Sequence, residues 1–102
     1  MMVTVGYLMD KYEVEWNLPH KIKDMDLCNV NYHLIAKNDR VLSVLSDDKT
    51  VGVVINRQRH MVTLLKLINE KEVKTTVWVP TGSTMTPITE IFPREETWLN
   101  NM

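Results

Sequence analysis

The side chains in this 102-residue sequence best equipped for chemistry are three histidines, one cysteine and three close carboxylate pairs. His20, His33 and His60 are 13 and 27 residues apart, which matches none of the short spacings that present metal ligands together. Cys28 has His20 and His33 near it in sequence, and a Cys–His pair can generate a thiolate nucleophile. No nucleophile signature surrounds it, and Leu27 and Val30 mark it as a partly buried structural thiol. Glu13/Glu15, Asp24/Asp26 and Asp47/Asp48 have the proximity of an acid–base dyad. Each pair lies in polar sequence, with nothing to drive one pKa above the other. Ser43, Ser46 and Ser83 occupy no Gly-x-Ser-x-Gly elbow. The three glycines, Gly6, Gly52 and Gly82, are too scattered for a phosphate-cradling loop. The expectation is a protein with no catalytic residue, no metal ligand and no cofactor.

Charge singles out a different stretch. The formal net charge is −1, which excludes both a strongly basic nucleic-acid coat and an acidic solvating tail. It is unevenly spread. Residues 49–74 hold six Lys or Arg against two Glu, while residues 1–48 hold five basic against eight acidic groups. Within the basic centre, Asn56-Arg57-Gln58-Arg59-His60 reads as a helix start with Asn56 as N-cap. A helix N-terminus already carries four free N–H groups and the positive end of the dipole. A cation there is unfavourable by roughly 0.3–1 kcal/mol, so Arg57, Arg59 and His60, with Lys66 in line beyond them, are candidates for meeting an anion. That anion would be a phosphate of nucleic acid or a carboxylate patch on a protein. A solvated loop ahead of a helix starting near Met61 is the plainer alternative.

The elements that would position these groups are legible from pattern. Tyr32–Lys37, Val41–Ser46 and Thr50–Ile55 are short β-prone runs separated by Asn38-Asp39 and Asp47-Asp48-Lys49, which predicts an antiparallel meander. Met61, Leu64, Leu65 and Ile68 share a helical face, widened by Val62 and Leu67, so residues 57–70 are expected to form the main helix. Val73–Val79 returns to a β pattern and stops at Pro80-Thr81-Gly82. Residues 80–93, with three prolines and five Ser or Thr, read as an irregular surface loop. Pro93-Arg94-Glu95-Glu96 then looks like a short helix start. At the other end, Val3, Val5, Tyr7 and Met9 alternate as a strand would. Val5, Leu8, Met9, Tyr12 and Trp16 follow helical spacing, and a helix over about 4–13 capped by Thr4 is favoured.

These readings combine into one α+β domain over residues 1–102. It has an antiparallel sheet of about four strands, one main helix packed on one face, and short terminal helices. No stretch reaches 18 apolar residues, so no membrane span is expected, and the N-terminus lacks the pattern of a signal peptide. One cysteine and no export signal point to the cytoplasm. The functional expectation is a small non-catalytic interaction module that binds and modulates a larger protein. Its size fits the small regulators and inhibitors typical of phage and mobile elements. Arg57, Arg59, His60 and Lys66 would meet an anionic partner, and Ile91, Phe92 and Trp98 would form an apolar partner-binding tail. The alternative is a nucleic-acid-binding regulator working through residues 49–74. So small a core also makes a homodimer an attractive source of further burial.

Overall fold

From Tyr32 onward the chain runs back and forth as a single antiparallel meander. The computed structural model describes residues 2–101, with side chains described as far as Leu99. Its six strands are β1 (Tyr32–Lys37), β2 (Val41–Ser46), β3 (Val51–Asn56), β4 (Met61–Leu67), β5 (Glu72–Thr81) and β6 (Thr84–Pro93). They lie in the sheet in the order of the chain, so each connection is a hairpin. Local polar chemistry shapes the turns. Asn38 Oδ1 accepts the amides of Arg40 and Val41, at 2.8 and 3.0 Å. Asp48 Oδ1 accepts the Ser46 and Thr50 hydroxyls, both at 2.7 Å, and the Thr50 amide at 3.1 Å. Gly82, at φ 59, opens the two-residue β5–β6 turn, where a residue with positive φ matches the twist of the flanking strands.

The first three strands fall where β propensity and turn residues put them, and β5 contains the expected run Val73–Val79. Two expectations fail. Residues 57–70 are not a helix: Arg57–His60 is a turn, and Met61–Leu67 is the central strand β4, paired with β3 and β5. In this strand Val62 and Leu64 face one side, and Leu65 and Leu67 face the other. Both sides are covered, so both parities are apolar and the strand has no two-residue alternation. An apolar run of that kind fits a helix template equally well. Asn56 does make the bond expected of a cap, accepting the Arg59 amide at 2.9 Å. The same three-residue reach serves a turn.

Residues 80–93 are likewise not an irregular loop, since most of them form β6 and the end of β5. The prolines deceive because each occupies a position where a strand tolerates one. Pro80 lies beyond the last β4–β5 pair, Val62–Trp78. Pro87 and Pro93 stand in an edge strand. The fold is therefore mostly β, six strands with one seven-residue α-helix and short helical turns, rather than four strands carrying a main helix.

Residues 2–31 cover one face. Helix α1 (Val5–Lys11) forms as its spacing predicts, with the Thr4 hydroxyl accepting the Tyr7 amide at 3.1 Å. It buries Val5, Leu8 and Met9. The four-residue α2 (His20–Lys23) adds Ile22. These meet Leu42, Val44, Val53, Ile55 and Val62 from β2–β4 in the larger apolar cluster. Backbone bonds from Val5 to Met25 and from Leu27 to Val3 tie this layer together. The buried Tyr32 hydroxyl donates to the Leu27 carbonyl, and burial, with Cys28 and Asp26 nearby, pushes its pKa well above the usual phenol range. The opposite face carries a smaller cluster, Leu45, Leu65 and Val73, closed by Leu99 and Trp98 from the C-terminal 3₁₀ turn. The other predicted terminal helix, at Arg94–Glu96, is a single 3₁₀ turn.

Candidate anion-binding cleft

In an in-order meander, alternate turns fall at the same end of the sheet. This brings the β1–β2 turn (residues 38–40) beside the β3–β4 turn (residues 57–60). The two are joined directly: the Arg57 amide donates to the Arg40 carbonyl at 2.8 Å, and the Arg57 guanidinium donates to the Asp39 carbonyl at 3.2 Å. Between them and the segment Asn17–Leu18 lies a cleft of about 390 Å³, lined also by Asp39, Arg40, Arg57, Gln58 and His60. Arg57 and His60, two of the residues singled out from sequence, thus meet in one concavity. His60 is held in the turn at φ 51, a conformation that favours glycine or asparagine.

The lining of the cleft carries a small excess of positive charge. Among the described residues the one ion pair is His33 with Asp47 at 3.4 Å, and Arg40, Arg57 and Arg59 have no carboxylate partner. The Asp39 carboxyl is the single acidic group in the lining, and it is its carbonyl rather than its carboxylate that holds Arg57. The two arginines outweigh Asp39 by one charge.

The remaining candidates disperse. Arg59 is exposed in the same turn but does not line the cleft. Lys66 lies five residues along β4 from Met61, roughly 17 Å at the rise of a strand. There it stands directly opposite Lys74 of β5. The reasoning that placed cations on a helix dipole fails with the helix. The proposed apolar tail is also divided. Trp98 packs over the sheet as part of the smaller cluster, Phe92 is half-buried, and Ile91 is exposed. Ile91 and Phe92 border a shallow groove of about 720 Å³ with Lys71 and Glu95.

Arg40 was not singled out by the sequence reading. Its signal was present: it follows the Asn38-Asp39 turn pair, and a meander with that turn must place it near the next turn but one. Cys28 is half-buried, with its amide donating to Asp26 Oδ1 at 3.1 Å. No group of three His, Cys, Asp or Glu side chains suited to a metal occurs among the described residues, and no helix there is long and apolar enough to cross a membrane.

No protein family matches this chain, and neither does any curated protein or solved structure.

Proposed function

We propose that this protein is a non-catalytic interaction module that binds and modulates a larger protein by receiving an acidic group of that partner in the cleft between its first and third hairpin turns. The observation carrying this reading is the convergence of Arg40 and Arg57 on one concavity with no ion-pair partner. An arginine fork recognises a carboxylate through paired N–H donors, and such charge-assisted bonds are about twice as strong as neutral ones. Backbone bonds join the two turns and the Asp39 carbonyl already holds the Arg57 guanidinium, so part of the ordering is complete before binding. A reducing cytoplasm is the compartment that goes with this reading and with a lone thiol.

Nucleic acid is the less favoured ligand. The cations of residues 49–74 do not form one stripe: Arg57 and Arg59 lie at one end of the sheet, and Lys66 and Lys74 stand near the other. A duplex groove or a single strand is tracked by a continuous basic surface.

The test is titration of the isotopically labelled protein with a Glu-rich peptide and, separately, with single- and double-stranded oligonucleotides. The acidic peptide is expected to shift the amide resonances of residues 38–40 and 57–60 in a saturable way. Arg40→Gln combined with Arg57→Gln should abolish those shifts while the rest of the spectrum stays native. Shifts with oligonucleotide alone, or peptide shifts that survive the double substitution, would remove this reading.

A further inference from the structure

We propose that the free edge of β6 pairs with β6 of a second copy of this chain, antiparallel and centred on Ile88, to give a continuous twelve-stranded sheet. The inference begins with the direction of the backbone groups. The Arg94 amide bonds to the Lys71 carbonyl at 2.8 Å, so the pair Lys71–Arg94 is hydrogen-bonded across β5 and β6. The register continues from it as Glu72–Pro93, Val73–Phe92, Lys74–Ile91 and on to Thr81–Thr84. Hydrogen-bonded pairs alternate in an antiparallel ladder. Even-numbered residues of β6 therefore bond inward to β5, and residues 85, 87, 89, 91 and 93 direct their backbone groups outward. Pro87 and Pro93 both fall in the outward set, where a missing N–H costs β5 nothing.

The two edges of the sheet are treated differently. On β1 the register slips between Leu34 and Ala36, and α1 with the residue after it leans over the strand. The Tyr12 hydroxyl donates to the Tyr32 carbonyl at 3.1 Å, and Lys37 Nζ donates to the Tyr12 carbonyl at 3.0 Å. A bulge, a covering element and an edge lysine are the usual devices that stop strand addition. β6 has no bulge, no covering element and no lysine, and the one such device it carries is its pair of outward-facing prolines, Pro87 and Pro93, each of which still offers a carbonyl as acceptor. It is continuous over ten residues, residues 86–91 are all exposed, and Glu90 is its single charged side chain.

Self-pairing is favoured by what each register places opposite what. Centred on Glu90, two carboxylates would face each other, and the outward pair Pro87–Pro93 would supply no donor. Centred on Ile88, the Met85 and Ile91 outward groups exchange both of their bonds with the second copy, and the Thr89 amide reaches the Pro87 carbonyl. Ile88 then stands opposite its own copy at a non-hydrogen-bonded position, where side chains approach most closely. Ile91 stands opposite Met85, and Glu90 opposite Thr86. Among the described residues Ile88 and Ile91, at 52% and 56% exposure, are the two most exposed large apolar side chains after Met2, and this register covers both.

The experiment is sedimentation velocity of the full chain from micromolar to millimolar concentration. A monomer–dimer equilibrium is expected. Ile88→Lys places like charges face to face at the two-fold axis and replaces a side chain outside both apolar clusters, so it should raise the dimer dissociation constant tenfold or more while changing the dilute melting temperature little. The register is tested in a Cys28→Ser background with diamide as thiol oxidant. Ile88→Cys should give a covalent dimer, because facing residues at such a position have Cα atoms about 4.5 Å apart, within disulfide reach. Glu90→Cys should not. A monomer throughout the concentration range would overturn the proposal, as would a dimer indifferent to Ile88→Lys or crosslinking by Glu90→Cys in preference to Ile88→Cys.

Discussion

The indole of Trp98 lies directly on Gly52. A Cβ built on this glycine would overlap two carbons of the Trp98 six-membered ring and press on a methyl of Leu99. Gly52 is in the middle of β3 between Leu45 and Leu65, where a side chain would otherwise project into the smaller cluster. The strand gives up a side chain there so that the C-terminal turn can close that face. Gly52→Ala should therefore cost about 1–3 kcal/mol through overpacking, more than the gain in strand propensity returns. Thermal melts of the variant, with tryptophan emission as a second reading, check this. A melting temperature at or above wild type would mean that the indole does not sit there.

Leu64 and Leu65 give a test of β4 as a strand. On a helix they would share one apolar stripe, whereas on β4 they enter separate clusters on opposite faces. Leu65→Ala should cost about 2–5 kcal/mol, and the half-buried Leu64→Ala somewhat less. Because they enter different clusters, the double variant should show weaker coupling than two neighbours on one helical stripe would. Denaturant titrations of the three variants measure the coupling, and a large deviation from additivity would contradict the assignment to opposite faces.

His60 holds a positive φ with a side chain that lines the cleft. Glycine relieves the steric conflict of a left-handed residue, worth roughly 1–2 kcal/mol, at the expense of unfolded-chain entropy of about 0.4–1 kcal/mol. His60→Gly should therefore be neutral or stabilising by up to about 1.6 kcal/mol in a thermal melt. If the cleft receives an acidic group as proposed, the same variant should weaken that binding, since it removes an imidazole N–H from the lining. Clear destabilisation would show that the imidazole supports the fold.

Asp48 predicts a signature in acid. Hydrogen bonds from the Thr50 hydroxyl, the Ser46 hydroxyl and the Thr50 amide hold its carboxyl below its ordinary value of 3.8. A depressed folded-state pKa means that the contribution is fully present above the unfolded value. It is lost as pH falls through the folded one, in the window below about pH 4. Asp48→Asn should flatten the loss of stability across that window and slightly destabilise the protein at neutral pH. Urea midpoints at pH 2, 3, 4 and 7 test the sign, and a variant with an unchanged acid slope would rule out Asp48 as a contributor.

The sequence by itself determined every element whose cause is local. Thr4 caps α1 because a hydroxyl three residues before an amide needs nothing from the rest of the chain. Asn38 and Asp48 turn the chain between β1, β2 and β3 through bonds to their own neighbours. The β-branched run at residues 51–55 reads as a strand in any setting. Tertiary structure decided the remainder. Met61–Leu67 became a strand because sheet neighbours on both sides and apolar cover on both faces suit a run with five apolar residues in seven, and that double burial erases the alternation that would have identified it. Thr84–Pro93 became a strand because β5 offered a partner along its full length, while Pro87 and Pro93 fell on the outward parity, and parity exists only once a register is set. The candidate cleft has the same origin. Arg57 and His60 stood out as charges, but only the return of the chain through two hairpins brought Arg40 beside them and carried Lys66 away.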